Sequence, residues 1–370
     1  MKCWFHLGPP KTGTTSIQET LYYELQDPGF VYCGFGDING SYALSALVGH
    51  NNYFASLRAM PYGAGDGGRR RALRRLARCV DRARSRGADL ILSAEWSYGW
   101  GKSKHVWFGE LARDLGLDLH VVLYLRPPLD WIASLVAQYV RYGRCSTHED
   151  LERLASSVET LQWRLRFSKR LELLGELYGS DRVTIRPYLR EQLVGGCVVQ
   201  DFCHVIGMRQ PPSTIHRRNE RMRLPTVQCL HQYNLFLGRR LRGPLELARR
   251  DALVLRLEQI FGDGCNLRLQ PAVLGGLVPF ALEELAALHQ FHGVELPLTT
   301  NATSAEGLDS LDRLLELDDG DRRRLVEAVG VDLPVPELLE RLERGSTISA
   351  VVQTGSAVVR RYLRHVQSGS

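Results

Sequence analysis

Short apolar runs alternate along the first half of the chain with longer stretches whose apolar residues return every three or four positions. KCWFHL (2–7) is apolar and aromatic and predicts a buried strand ending at Gly8. FVYC (30–33), DLILSA (89–94), DLHVVLYL (118–125) and DRVTIRPY (181–188) predict further strands. Between them, 14–26 places Ile17, Leu21 and Leu25 at helical spacing, and 69–86 carries the stripe Leu73, Leu76, Val80. Residues 127–143 open on proline, which suits a first helical turn, and 149–178 and 191–207 also read as helix, the latter despite paired glycines. From about 210 the texture changes: QPPSTIHRRNERMRLP is polar and irregular. Helical patterns follow over 225–242, 246–261, 281–290, 308–328, 335–343 and 355–366. The expected organisation is an α/β domain over 1–220 and an all-helical extension over 221–370.

Strands alternating with helices predict a mostly parallel sheet covered on both faces. Ligands of such sheets bind at the carboxyl ends of the strands. Three segments rich in polar chemistry follow strand ends: the loop after Leu7, SAEW (93–96), and Arg126.

Composition narrows the classes. At 370 residues, 44% hydrophobic and 24% charged, the chain suits a soluble protein of about two domains. A net charge of +6 favours an anionic ligand and is too weak to argue for nucleic acid. No apolar run reaches membrane-spanning length, and KCWFHL enters the loop without a leader pattern, so a cytoplasmic location is expected. The eight cysteines form no CxxC pair, which predicts free thiols and no metal site.

The chemistry is concentrated in GPPKTGTT (8–15). A strand, a glycine-bearing turn and a helix start together aim backbone N–H groups and the positive helix end at an anion. The spacing of Gly8 and Gly13 is that of a nucleotide phosphate loop, yet Thr14 stands where the usual loop has lysine, and the lysine is Lys11. Thr12, Thr14, Thr15 and Ser16 add hydroxyl donors. Phosphoryl transfer uses that missing lysine together with magnesium. A sulfuryl group carries less charge and needs less counter-charge.

At these residues the chain resembles the sulfotransferases that use 3′-phosphoadenosine 5′-phosphosulfate (PAPS), in a bacterial-type form. Their first strand runs into a P-K-[ST]-G-[ST]-[ST] loop, matched by Pro10-Lys11-Thr12-Gly13-Thr14-Thr15. The resemblance implies a P-loop-like central parallel β-sheet flanked by helices, with PAPS as co-substrate, 3′-phosphoadenosine 5′-phosphate (PAP) as product and no metal. It also implies a second anchor for the 3′-phosphate, an arginine ending a later strand and a serine about eight residues on. Arg126 and Ser134 in LYLRPPLDWIASLVAQY stand at that spacing. The family's C-terminal Arg-Lys-Gly clamp is absent; HRRNE (216–220) offers Arg217 or Arg218 instead. For the base that removes the acceptor's proton, the family precedent points to Glu95, just past DLILSA, with His50 as second candidate and His105 able to face the acceptor.

The acceptor, a carbohydrate, glycolipid or other small molecule, is left open. Nine arginines in 69–86 and the aromatics Trp96, Tyr98, Trp100, Trp107 and Phe108 fit a sugar or an anionic acceptor, and equally a solvated face and a core. Two rivals remain: a P-loop kinase-like phosphotransferase, and a catalytically silent nucleotide-binding interaction module. The helical extension would cover the acceptor site or form a homodimer interface.

Overall fold

The computed structural model describes residues 1–49, 65–145, 147–156, 161, 165–216, 222–238, 244–300 and 307–344. Five strands, β1 (Lys2–His6), β2 (Phe30–Tyr32), β3 (Asp89–Ser93), β4 (Asp118–Leu125) and β5 (Val183–Pro187), form one sheet in the order β2-β3-β1-β4-β5. Every pairing is parallel. Each strand pair is therefore joined by a crossover, and these supply α1 (Thr14–Glu24), α2 (Ser41–Leu47), α3 (Asp66–Arg86), α4 (Lys102–Asp114), α5 (Pro128–Arg141), α6 (His148–Ser156) and α7 (Phe167–Tyr178). After β5 come α8 (Val198–Val205), α9 (Leu224–Leu237), α10 (Pro244–Ile260), α11 (Leu277–His292), α12 (Asp319–Val329) and α13 (Val335–Arg344). The fold is α/β: a central parallel sheet flanked by helices, with a helical C-terminal part.

The chain divides into two compact units. The first comprises 1–127, 164–220 and 282–297, the second 128–163, 221–281 and 298–370. In the first unit, alternation along β1 sends Trp4 and His6 to one face and Cys3 and Phe5 to the other. Trp4 joins Ile17 and Leu21 of α1 and Val198 and Phe202 of α8 in one apolar cluster. On the opposite face Phe5 packs on Phe108 of α4, with ring centroids 4.9 Å apart. The second unit is helical among the described residues. Within it, Asn234 of α9 donates to the Val140 carbonyl of α5 at 2.8 Å, and Arg141 of α5 pairs with Asp251 of α10 at 2.7 Å.

Three helical expectations need correction; in 308–328 only the 3-10 turn Leu311–Leu314 and α12 from Asp319 are helical. The stretch 191–207 is helical only from Val198; before it lie two short 3-10 turns, and Gly195 and Gly196 both take positive φ (61° and 62°). That left-handed backbone cannot continue an α-helix. The stretch 149–178 contains α6 and α7, and Arg166, at ψ 66°, leaves helical geometry just before α7. The pattern over 355–366 lies outside the described residues.

Candidate functional site

Because all five strands run the same way, their carboxyl ends meet on one edge. The register is tight there: Leu7 N–H donates to the Val122 carbonyl at 2.9 Å and Ala94 N–H to the His6 carbonyl at 3.1 Å. The loop after β1 thus opens between the ends of β3 and β4. Glu95 follows β3 on one side, and Arg126 follows β4 on the other.

The loop itself is folded by its own residues. The Thr12 hydroxyl, fully buried, donates to the Pro9 carbonyl at 2.8 Å. Lys11 sits at φ 71°, a left-handed conformation that costs a non-glycine residue on the order of 1–3 kcal/mol and that gathers at functional sites. Gly13 also takes positive φ (76°) and stands as the N-cap of α1 with no side chain capping the helix. The amides of a helix's first turn have no acceptor inside the helix, so this uncapped end presents donors and the positive pole toward the loop. Thr14 Oγ1 is buried without a hydrogen-bond partner. A Cβ on Gly8 would come within 2.3 Å of that oxygen, so the first glycine is fixed by close approach to Thr14. An orphaned hydroxyl over an uncapped helix start is the donor set an oxyanion requires.

Arg126, buried, donates from Nη1 to the Lys11 carbonyl at 3.0 Å. The arginine ending β4 and the lysine loop ending β1 are therefore joined directly. Tyr188, just past β5, closes this side: its N–H donates to the Leu125 carbonyl at 2.6 Å, and the Arg126 guanidinium lies 5.9 Å from its ring centre. A Cβ on Gly13 would meet the Tyr188 hydroxyl at 3.2 Å and Val198 Cγ1 at 2.6 Å. On the other side Glu95 begins a 3-10 turn, Glu95–Gly99. Burial pushes its carboxyl up from the ordinary carboxylate range, and the positive charge of Lys11 pulls partly back. Lys11 and Glu95 thus sense each other's charge across the loop.

Beneath the loop lies a polar network. His6 Nδ1 and Ser93 Oγ are 2.9 Å apart, and the Gln18 amide, one turn into α1 from Thr14, reaches Ser93 Oγ at 3.1 Å and Asn39 Oδ1 at 3.3 Å. Burial lowers the His6 imidazole to about 3, so it is neutral and packed. His105 is also fully buried, with Nδ1 3.0 Å from the Tyr178 hydroxyl, and burial takes it down to about 3. It does not face an acceptor. Of the aromatic cluster, Tyr98, Trp100 and Phe108 are core; Trp96 and Trp107 are half-buried, and the Trp96 ring meets Tyr42 edge-on at 4.5 Å.

The first unit brings together Lys11, Thr12, Gly13, Thr14, Thr15, Ser16, Glu95 and Arg126. Ser134 is half-buried on α5, in the second unit. His50, Arg217 and Arg218 lie outside the described residues. Sequence reasoning missed Tyr188 and Gln18. Both had a signal: Tyr188 follows a strand at the same edge, and Gln18 stands four residues after Thr14, on the same helix face.

No protein-family model matches the chain, and a search of curated proteins found no match. Among solved structures, it is similar to a sulfotransferase from Alicyclobacillus acidocaldarius at 14% identity and a TM-score of 0.41, over 69% of this chain and 96% of that one.

Proposed function

We propose that the chain is a PAPS-dependent sulfotransferase that moves the sulfuryl group to a hydroxyl or amine of a small acceptor. The observation that carries this reading is the joining of Arg126 to the Lys11 carbonyl at one sheet edge, with Glu95 on the far side of the same loop. A monophosphate-type loop alone suits many nucleotides. A buried arginine locked to that loop from the next strand adds a second anion anchor, which a 3′-phosphate requires.

In this reading the amides and hydroxyls of residues 12–16 hold the 5′-phosphosulfate, with Thr14 Oγ1 supplying the hydroxyl that lacks a protein partner. Arg126 binds the 3′-phosphate, and Ser134 and Arg218 are proposed to assist it. Lys11 stabilises charge growing on the bridging oxygen as the S–O bond to phosphate breaks. Glu95, with His50 as second candidate, takes the acceptor's proton as its oxygen or nitrogen bonds to sulfur. A carboxyl raised by burial is a stronger base than an exposed one. β4 leads into Arg126, an anion binder, where a magnesium-dependent phosphotransferase would need an acid, which weighs against the kinase-like reading. The proposed acceptor is apolar in part, since Trp96 follows Glu95 in the chain and its ring meets Tyr42 edge-on.

The test is turnover of PAPS to PAP in the presence of a chelator, across a panel of phenol, amine and sugar acceptors. Acceptor-dependent release that Glu95→Gln lowers by roughly 10²–10⁴-fold, with PAP affinity unchanged, is the expected result. Transfer from ATP that requires magnesium would refute it.

A further inference from the structure

Outside this site, two cysteines stand in a relation that neither the loop nor the sheet requires. We propose that Cys33 and Cys79 are a peroxide-responsive thiol pair that closes an intramolecular disulfide between the segment after β2 and helix α3. Cys33 directly follows β2; it is fully buried, and its N–H donates to the Ile91 carbonyl at 2.9 Å. Cys79 lies midway along α3 and is half-buried. Both thiols are free, and they are hydrogen-bonded to each other.

The contact is held from both sides. Arg75, one turn before Cys79 on the same helix face, donates to the Phe35 carbonyl. Gly36, at φ 81°, lets the guanidinium in: a Cβ there would lie 2.5 Å from Arg75 Nη1. Two successive positions of one helix face, 75 and 79, therefore grip one short segment, 33–36. That grip holds the segment that carries Cys33 against the helix face that carries Cys79.

The environment divides the labour. The Cys79 thiol is held below its ordinary range by the hydrogen bond from Cys33, with Arg82 and Arg75 adding positive charge. Burial pushes Cys33 up, so it stays a protonated thiol. The outer sulfur is the nucleophile and the inner one resolves. Cys79 thiolate attacks hydrogen peroxide, the O–O bond breaks, and Cys79 sulfenic acid and hydroxide form. The Cys33 sulfur then displaces the sulfenic oxygen, which leaves as water with the Cys33 proton. Each turn oxidises two thiols by two electrons and reduces one peroxide. Cys3, Cys203 and Cys229 offer no rival, since burial raises each of them. Cys265 is exposed and serves as an internal reference.

The experiment treats the full chain with graded hydrogen peroxide, blocks free thiols with an alkylating agent, and maps peptides with and without dithiothreitol. The expected result is a Cys33–Cys79 linked peptide pair, two hydrogens lighter and reversed by dithiothreitol. It should reach half-conversion at roughly tenfold less peroxide than oxidation of Cys265. Cys33→Ser should abolish the link and leave a Cys79 sulfenic acid that dimedone captures. Arg82→Gln, a surface change, should slow the reaction in a chain that folds normally. Cys79 oxidising no faster than Cys265, or passing to sulfinic acid while Cys33 stays alkylatable in the wild-type chain, would overturn the proposal.

Discussion

Glu95 is half-buried beside a lysine, and its chemistry follows from that position. Burial raises its carboxyl, so the folded chain holds this proton at a pH where the unfolded chain has released it. Stability linked to Glu95 is fully present below the ordinary carboxylate range and is lost as pH rises through the raised value. Glu95→Gln removes that loss. The variant is expected to melt at a higher temperature than the parent at pH 8, with the difference shrinking toward pH 4, and to lose turnover. A circular-dichroism melt at several pH values checks it, and equal stability at pH 8 would mean that the carboxylate is well solvated. Turnover in the parent should fall on the acid side as Glu95 protonates. Of the site, Lys11, Arg126 and Glu95 were legible as types at strand ends. The Arg126 bond to a main-chain carbonyl was not, because a pattern of residues carries no information on which backbone atom a side chain meets.

At the scale of elements, the loop-to-helix junction is set by Gly13. Its positive φ and the 2.6 Å approach of Val198 Cγ1 leave no room for a side chain. Gly13→Ala is expected to destabilise the first unit by roughly 1–3 kcal/mol, read by denaturant titration, and to weaken PAP binding. A neutral effect would mean that the loop backbone is free to re-form. Beside it, α8 is tied down by Asp201, whose carboxylate accepts from Arg186 at 2.6 Å, from the Tyr124 hydroxyl at 2.8 Å and from the Val194 amide at 3.1 Å. Burial would raise the Asp201 carboxyl, but those three donors outweigh it and hold it below the ordinary range. Its contribution is therefore present at neutral pH and is lost as pH falls through the lowered value. Asp201→Ala should cost about 3 kcal/mol, since it strands Arg186 and a buried tyrosine hydroxyl, and should flatten the acid limb of the stability curve. None of this was visible in VVQDFC, where an aspartate among apolar residues reads only as a polar helix position. The break before α8 was signalled by Gly195-Gly196 and overridden by the apolar pattern around them. The expectation failed there because two left-handed residues in succession outweigh periodicity.

Across the whole molecule, the parallel sheet could be read in advance, because alternating strand and helix patterns permit few other arrangements. Strand order could not. β1 lies at the centre, between β3 and β4, and that placement decides that the loop meets both Glu95 and Arg126; it follows from long-range packing of faces that look alike in sequence. The same holds for α5, whose start at a proline was legible and whose membership of the second unit was not. The account stands or falls on the donor site. Its most direct test is calorimetric binding of PAP without metal, against ATP with magnesium, to the parent chain and to Arg126→Ala. The account predicts that PAP binds in the absence of metal, in preference to ATP, and that Arg126→Ala weakens it by about ten- to a hundredfold, as the loss of a charge-assisted hydrogen bond to an anion requires. Preference for magnesium-ATP, or PAP affinity indifferent to Arg126, would contradict it.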